Sequence, residues 1–299
     1  MLHPLYSAVC KDTPQSVTAS EKAGSRMKLL YVAVLLTLVE AIITTQDMVT
    51  MKQSEDMIGG DPMIVKSAVM ILIRGWHQKV GKELHQYECA GTIIDQQFIL
   101  TAANCFHCLD NDDCSHDKFA MSDILVVAGE HDMDKIYDKS IKDVKTSGNA
   151  SSHEVKRIAR HPNYNFPKFK WDLALLELQT PVIIGATTEI SRLPPPGMKY
   201  EKKEVTVGGW YGAHAHMVID VEIESGFTCS QKFSSSSVNF DKNLQLCAGE
   251  EGKGDAGGGV LFKGWGQPIV VGVATGKETS AYMKTEEALS WIDMESNIR

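Results

Sequence analysis

The stretch from Cys89 to Cys105 reads CAGTIIDQQFILTAANC. Within it, GTIIDQQFILTAA is a short run rich in apolar and β-branched residues, which is typical of β-structure. Similar short apolar and β-branched runs recur along the chain, at AVMILI, DILVVAGE, DLALLELQTPVII, EVTVGGW and PIVVGVAT. This spacing predicts an antiparallel, all-β protein of the sandwich or barrel type rather than alternating βαβ units.

Composition is that of an ordinary globular protein. Of the 299 residues, 43% are hydrophobic and 23% are charged, and this length can bury a full core. The formal net charge is -8, whereas a general nucleic-acid surface needs an excess of lysine and arginine. No nucleic acid is therefore expected as a partner.

The amino-terminal part predicts secretion. Basic residues on either side of Met27 precede an apolar run, 29–39, that ends before Glu40, which is the layout of a secretory signal peptide. The run of roughly 11 residues is too short for a membrane span, which needs about 20. We therefore predict an upstream extension at 1–26, a signal peptide at 27–45, a short segment at 46–56 and one domain at 57–299, with no membrane attachment.

Cysteine and glycosylation patterns agree with secretion. Cys10 precedes the predicted signal peptide, so the mature chain keeps an even number of cysteines, which is typical of disulfides in an oxidising compartment. These are Cys89, Cys105, Cys108, Cys114, Cys229 and Cys247. The sequon that begins at Asn149 lies in a polar stretch and predicts a glycosylated surface loop.

Two further segments give information about the organisation of the domain. RLPPPGMKYEKKE (192–204) has three prolines and a charge cluster, which predicts a surface connection between two halves of the fold. Near the carboxyl terminus, Leu289, Ile292 and Ile298 lie near one helical face, with Thr285 as the expected N-cap. The chain is expected to end in one α-helix.

Three segments, in order, resemble the chymotrypsin-like (trypsin-like) serine proteases. They are CAGTIIDQQFILTAANC, DLALLEL (172–178) and GDAGGGVL (254–261), with supporting matches at MIGG (57–60), VTVGGW (205–210) and LCAG (246–249). The resemblance spans about residues 57 to 299. It implies two antiparallel six-stranded β-barrels with a cleft between them, a C-terminal α-helix, and disulfides from Cys89 to Cys105 and from Cys229 to Cys247.

The resemblance also places the family's catalytic residues. In that family a serine attacks the carbonyl, a histidine takes its proton and an aspartate orients the histidine. The matching positions are Ala256, Asn104 and Asp172. Asparagine is no general base near neutral pH and a methyl has no lone pair, and losing one member of such a unit costs on the order of a million-fold in a comparable protease. An inactive homologue without a cofactor is predicted, with Asp172 interpreted as a structural carboxylate rather than a catalytic one.

The turn GKGDAGGGVLF (252–262) keeps other parts of the family's nucleophile turn. It holds five glycines within eight residues, and glycine permits a positive φ and close backbone approach. Gly254 and Asp255 match the oxyanion turn. Family zymogens are cut after arginine or lysine, whereas Asp56 precedes Met57 here. Asp255 is therefore expected to stay in a zymogen-like arrangement.

The specificity pocket that the resemblance implies is altered too. Glu250 and Gly276 match its remnants, and Glu250 lies near the position that selects basic residues in trypsin-like enzymes. Gly252 stands where the pocket has a cysteine, and Thr275 replaces the usual tryptophan. We expect this pocket to be collapsed or reshaped, and no arginine specificity is assigned.

The motif CFHCLDNDDCSH (105–116) has two interpretations. Its residues His107, Cys108, Cys114 and His116 are of the types that ligate zinc. A disulfide from Cys108 to Cys114 in a secreted loop needs no metal. We favour the disulfide and predict no metal site.

A second histidine motif is AHAHM (213–217), in which His214 and His216 alternate along a strand or lie in a loop. A solvated surface pair is the favoured interpretation, with metal binding or pH sensing as the alternative.

The sequence is consistent with two functions. The first is a secreted glycoprotein of the pseudoprotease type, which binds an extracellular protein, either an active protease or its substrate, as a regulator or decoy. The alternative is a serine endopeptidase with residual or rearranged activity, in which His107 replaces the missing base. The fold alone does not decide between them, because function lies in the site.

Overall fold

The structure is a computed structural model. It describes residues 65–77, 82–106, 117–118, 121–132, 150–166, 168–210, 216–234, 239–249, 255–264, 266–275 and 280–298. In the described part of the chain, no helix is both long and apolar enough to cross a membrane.

Seven strands form the first sheet. They are β1 (Ala68–His77), β2 (Lys82–Ile93), β3 (Phe98–Thr101), β4 (Asp117–Lys118), β5 (Ile124–Ala128), β6 (Ser151–Arg160) and β7 (Ala174–Leu178). Antiparallel pairing runs in the order β1-β2-β3-β7-β6-β5, and β5 pairs back onto β1. The first six-stranded barrel is thus confirmed. The two-residue β4 adds a seventh strand beside the end of β1.

Six strands form the second sheet. They are β8 (Glu204–Gly209), β9 (Met217–Glu222), β10 (Gln245–Cys247), β11 (Gly259–Phe262), β12 (Ile269–Ala274) and β13 (Ala281–Lys284). Their antiparallel order is β10-β13-β12-β11-β8-β9, and a bridge from Ile223 to Ala248 joins the two ends. Closure leaves no open sheet edge between β9 and β10. The second predicted barrel is therefore confirmed as well.

Burial patterns explain why these segments are strands. All five residues of β5 are buried, which is typical of a strand covered on both faces. In β6, buried His153 and Val155 alternate with exposed Ser152, Glu154 and Lys156, so one face packs on the core and the other faces water.

The segment between β7 and β8 connects the barrels, as predicted from its prolines. Pro195 and Pro196 are exposed, while Arg192 fixes the segment to the second barrel. Its backbone N–H donates to the Pro268 carbonyl at 2.8 Å, and its carbonyl accepts from Val270 N–H at 3.0 Å. The connection is therefore held by main-chain hydrogen bonds rather than by side-chain packing alone.

Two α-helices are described, α1 (Gly226–Lys232) and α2 (Leu289–Ser296). Sequence analysis missed α1, although Ser225 is a typical N-cap and its hydroxyl accepts from Thr228 N–H at 3.1 Å. The predicted terminal helix is confirmed as α2.

The predicted start of the terminal helix was wrong. Thr285 makes no side-chain capping bond, because a 3-10 turn (Glu286–Ala288) comes between it and α2. Trp291 and Ile292 form the buried face of the helix, and Asn297 ends it in the left-handed conformation, which places Ile298 beyond the helix.

Candidate active site

Asn104 and Asp172 come together because their strands pair. Asn104 lies in the 3-10 turn (Ala103–Phe106) that follows β3, and Asp172 lies two residues before β7, whose Ala174 is opposite Thr101. The Asn104 backbone N–H donates to Asp172 Oδ1 at 2.7 Å, and Asn104 Nδ2 donates to Asp172 Oδ2 at 2.6 Å. Both carboxylate oxygens of Asp172 are thus held by one residue.

The same amide also reaches the second barrel. Asn104 Nδ2 donates to the Thr275 carbonyl at 2.7 Å. Thr275 directly follows β12, is buried, and donates its own hydroxyl to the Ala281 carbonyl at 3.1 Å. An amide nitrogen has two protons and accepts none, so both of its protons are engaged. This nitrogen has no capacity to take a proton from a nucleophile.

Asp172 is fully buried and has no cationic partner among the described residues. Burial raises its pKa to about 7, because removing a carboxylate from water disfavours the charged form. Hydrogen bonds from the Asn104 backbone and side chain and from the Ala103 backbone oppose this rise in pKa. The site therefore holds a carboxyl that changes charge near neutral pH.

Ala256 occupies a tight turn on the second barrel, directly after Asp255. Its carbonyl accepts from Ala90 N–H of β2 at 2.8 Å, which holds the turn against the first barrel. Within the turn, Gly258 N–H donates to the Asp255 carbonyl at 2.8 Å. The Ala256 side chain is 2% exposed and has no atom that attacks a carbonyl.

Close packing explains why the residue after Ala256 is a glycine, Gly257. Gly257 has a φ of +85°, and a Cβ there would lie 2.2 Å from both the Ala90 carbonyl oxygen and Thr101 Oγ1. Its N–H donates to the Ala274 carbonyl at 2.8 Å. The backbone of this turn is therefore fitted between the barrels so closely that no side chain has room.

Asp255, beside the alanine, holds the end of β8. Its Oδ2 accepts from Trp210 N–H at 2.5 Å, and a Cβ on Gly209 would lie 2.7 Å from Asp255 N. Whether Asp255 has a zymogen-like partner stays a prediction, because Met57 lies outside the described residues.

Several other predicted site residues lie outside the described part of the chain. Gly252, Gly254, Glu250 and Gly276 are not among the described residues, so the reshaped pocket and the oxyanion turn stay predictions, as does glycosylation at Asn149.

The implied disulfides are present where the structure describes them. Cys89 pairs with Cys105, and Cys229 pairs with Cys247. The first lies beside the alanine turn, since Cys105 Sγ is 3.8 Å from the Ala256 carbonyl oxygen.

The structure does not test the choice between a zinc site and a disulfide from Cys108 to Cys114, because residues 107–116 are not among the described residues. Within the described ranges, no group of three or more histidine, cysteine, aspartate or glutamate side chains is arranged to hold a metal ion.

The prediction of a solvated histidine pair was wrong for His216, which is only 6% exposed. It lies under Trp210 and against His131. The sequence offered no signal for this burial, because the contact joins residues that are far apart in the chain. His214 lies outside the described residues.

A sequence model of the trypsin family matches residues 74–292, which is more than half of the chain. The chain belongs to the trypsin family. Among curated relatives, trypsin from Phaedon cochleariae is 24% identical over 241 residues, covering 75% of this chain and 84% of the relative. Duodenase-1 from Bos taurus is 28% identical over 221 residues, covering 68% and 76%.

A third relative of the trypsin family is larger. Mannan-binding lectin serine protease 1 from Homo sapiens is 28% identical over 206 residues, which cover 62% of this chain and 28% of that protein. These relatives carry protease names. That Asn104 and Ala256 occupy the family's catalytic histidine and serine positions stays a prediction from the motifs.

Replacing Gly257 with alanine should destabilise the fold strongly, because the new Cβ meets backbone and side-chain atoms of the first barrel as well as an unfavourable φ. We expect a loss of about 3 kcal/mol or more in the free energy of unfolding, measured by urea denaturation. Gly197→Ala is the matched control: its φ is +78° but no atom lies within 4 Å of a Cβ there, so about 1 kcal/mol is expected. Equal losses in the two variants would contradict the close-packing argument.

The Asp172 carboxyl should make stability depend on pH. Its pKa is raised in the folded state to about 7, so the folded state binds the extra proton between the unfolded pKa of about 4 and the folded one. The contribution of Asp172 to stability is therefore complete below about pH 4 and is lost as the pH rises to 7.

This effect is measurable as the difference in free energy of unfolding between wild type and Asp172→Asn at each pH. Relative to the variant, the wild type should lose a few kcal/mol between pH 4 and pH 8. A difference that stays constant across this range would show that Asp172 is ionised throughout.

Proposed function

We propose that this trypsin-family chain is a secreted pseudoprotease, which acts by binding an extracellular protein and not by hydrolysing peptides. The observation that carries the proposal is the bonding of Asn104 Nδ2 to both Asp172 and Thr275. A donor that is fully engaged stands where the family's mechanism needs a proton acceptor.

No neighbouring group supplies the missing chemistry among the described residues. Asp172 is enclosed and both of its oxygens accept from Asn104, so it does not reach a substrate proton. Ala256 has no nucleophilic atom. Family catalysis needs the base and the nucleophile together, since they act as one unit.

Secretion rests on the predicted signal peptide at 27–45 and on the disulfide chemistry. The disulfides Cys89–Cys105 and Cys229–Cys247 are typical of an oxidising compartment. The predicted sequon at Asn149 agrees with the same route.

The partner is an extracellular protein, either an active protease or a substrate of one. This assignment is supported by the similarity to proteins named as proteases. A chain with the shape of a protease, but without its base and nucleophile, has a surface suited to the same proteins without cutting them.

An aromatic loop that leads into Asp172 is the best candidate for the contact. Phe166 is 49% exposed and meets Phe169 edge to face, with ring centroids 5.6 Å apart. Phe169 and Trp171 have φ values of 49° and 55°, a conformation that is costly for bulky residues and that concentrates at functional sites. Trp171 is held by stacking on His161 at 4.5 Å. An exposed aromatic ring such as Phe166, supported by partly buried rings, is a typical anchor of protein interfaces.

A fluorophosphonate probe, which labels activated serines, distinguishes the pseudoprotease from the endopeptidase alternative. The purified secreted protein should show no labelling and should not cleave a broad peptide library. The double variant Asn104→His, Ala256→Ser should also stay inactive, because the pocket and the activation cut remain altered. Labelling of the wild type, or cleavage that Asp172→Ala abolishes, would establish the enzyme instead.

The binding role is tested by cross-linking and capture of partners from the protein's native fluid. Phe166→Ala should reduce capture of the main partner at least ten-fold, since loss of an interface anchor costs more than about 1.4 kcal/mol. Phe227→Ala, which removes a 70% exposed ring on α1, should leave capture unchanged. Equal effects of the two variants would exclude the aromatic loop as the contact.

A further inference from the structure

A half-buried histidine of the first barrel meets a buried histidine of the second barrel. His131 follows β5 in the first barrel, and His216 precedes β9 in the second. Their ring centroids are 5.6 Å apart, and the His216 backbone N–H donates to the His131 carbonyl at 2.8 Å. In each ring Nδ1 is buried without a hydrogen-bond partner among the described residues. The contact between the two rings is therefore not part of a satisfied hydrogen-bond network in the described part of the chain.

The His216 ring has no room to move while the structure stays closed. It packs edge to face on Trp210, with centroids 4.6 Å apart. On its other side the β8 backbone is so close that a Cβ at Gly208 would lie 2.7 Å from His216 Cε1. Trp210 in turn donates its backbone N–H to Asp255, the neighbour of Ala256. The histidine pair is thus coupled by direct contacts to the turn at the candidate active site.

Among the described residues, the charged groups around the pair do not compensate a positive charge on His216. Glu130 Oε1 accepts from the backbone N–H groups of His131 and Asp132, and its charge favours protonation of His131 only. Asp255 accepts a hydrogen bond from the Trp210 backbone N–H. The electrostatic influence on His216 comes from His131, which opposes a second positive charge.

We propose that His131 and His216 form an acid-released latch between the barrels, which is closed at neutral pH and opens on protonation of His216. Opening separates His216 from Trp210 and frees the Trp210 N–H from Asp255. Protonation of His216 is sufficient to open the latch, and no other ligand is needed. The latch does not depend on the partner-binding role proposed above.

The direction of the pH effect follows from burial. Desolvation, followed by the neighbouring His131, lowers the pKa of His216 to about 3 in the closed state. In an open state, where the ring is hydrated, the pKa returns to about 6.5. Between these two values the open state binds more protons, so stability of the closed state is lost as the pH falls below about 6.5.

Hydrogen exchange of the Trp210 amide measures the latch directly, because this proton is released only on opening. After correction for the intrinsic pH dependence of exchange, the opening equilibrium of the wild type should rise about 100-fold between pH 7.5 and pH 4.5. His216→Phe keeps an aromatic ring without a titrating group, and in this variant the rise should be below about 3-fold.

His153→Phe is the matched control. His153 is also buried, at 4% exposure, and burial also lowers its pKa. Its ring, however, lies in the first barrel and bonds to Ser151 and Thr180. This variant should keep the wild-type pH response at Trp210. The latch is overturned if wild-type exchange changes less than about 3-fold, or if His216→Phe retains the 100-fold rise.

Discussion

The Asn104 amide is held between two acceptors from different barrels, the carboxylate of Asp172 and the carbonyl oxygen of Thr275. This arrangement satisfies a buried carboxylate and joins the barrels where they meet. A buried carboxylate left without donors costs far more than one that is hydrogen-bonded. Asn104 thus has a structural task, and that task engages the nitrogen that a catalytic base would need.

The turn around Ala256 packs tightly against the first barrel. Gly257 is fixed by contacts with Ala90 and Thr101 of the first barrel, and the Ala256 carbonyl accepts from Ala90 N–H. These contacts stabilise the junction of the barrels whatever side chain stands at position 256. The need for close packing explains why position 257 is a glycine.

Two buried groups give the molecule opposing responses to pH. Asp172 has a raised pKa and favours the folded state in acid, whereas His216 has a lowered pKa and disfavours it there. Both effects arise from desolvation of a side chain at the contact between the barrels. The net pH profile of stability is therefore a balance between these groups, and variants of each are needed to separate them.

The apolar runs in the sequence predicted an antiparallel, all-β protein with a terminal helix, and the resemblance of the motifs to the trypsin family implied the two barrels and the pairing of four cysteines. The motifs assign the catalytic positions to Asn104, Asp172 and Ala256, and this assignment stays a prediction, although Asn104 does bond to Asp172 in the structure. The sequence did not predict the short helix α1 or the burial of His216. Tertiary structure alone placed Thr275 against Asn104 and His216 against His131, since these contacts join residues 171 and 85 positions apart. A local pattern determines which face of a strand is buried, but the closure of the barrels decides which distant groups share that interior.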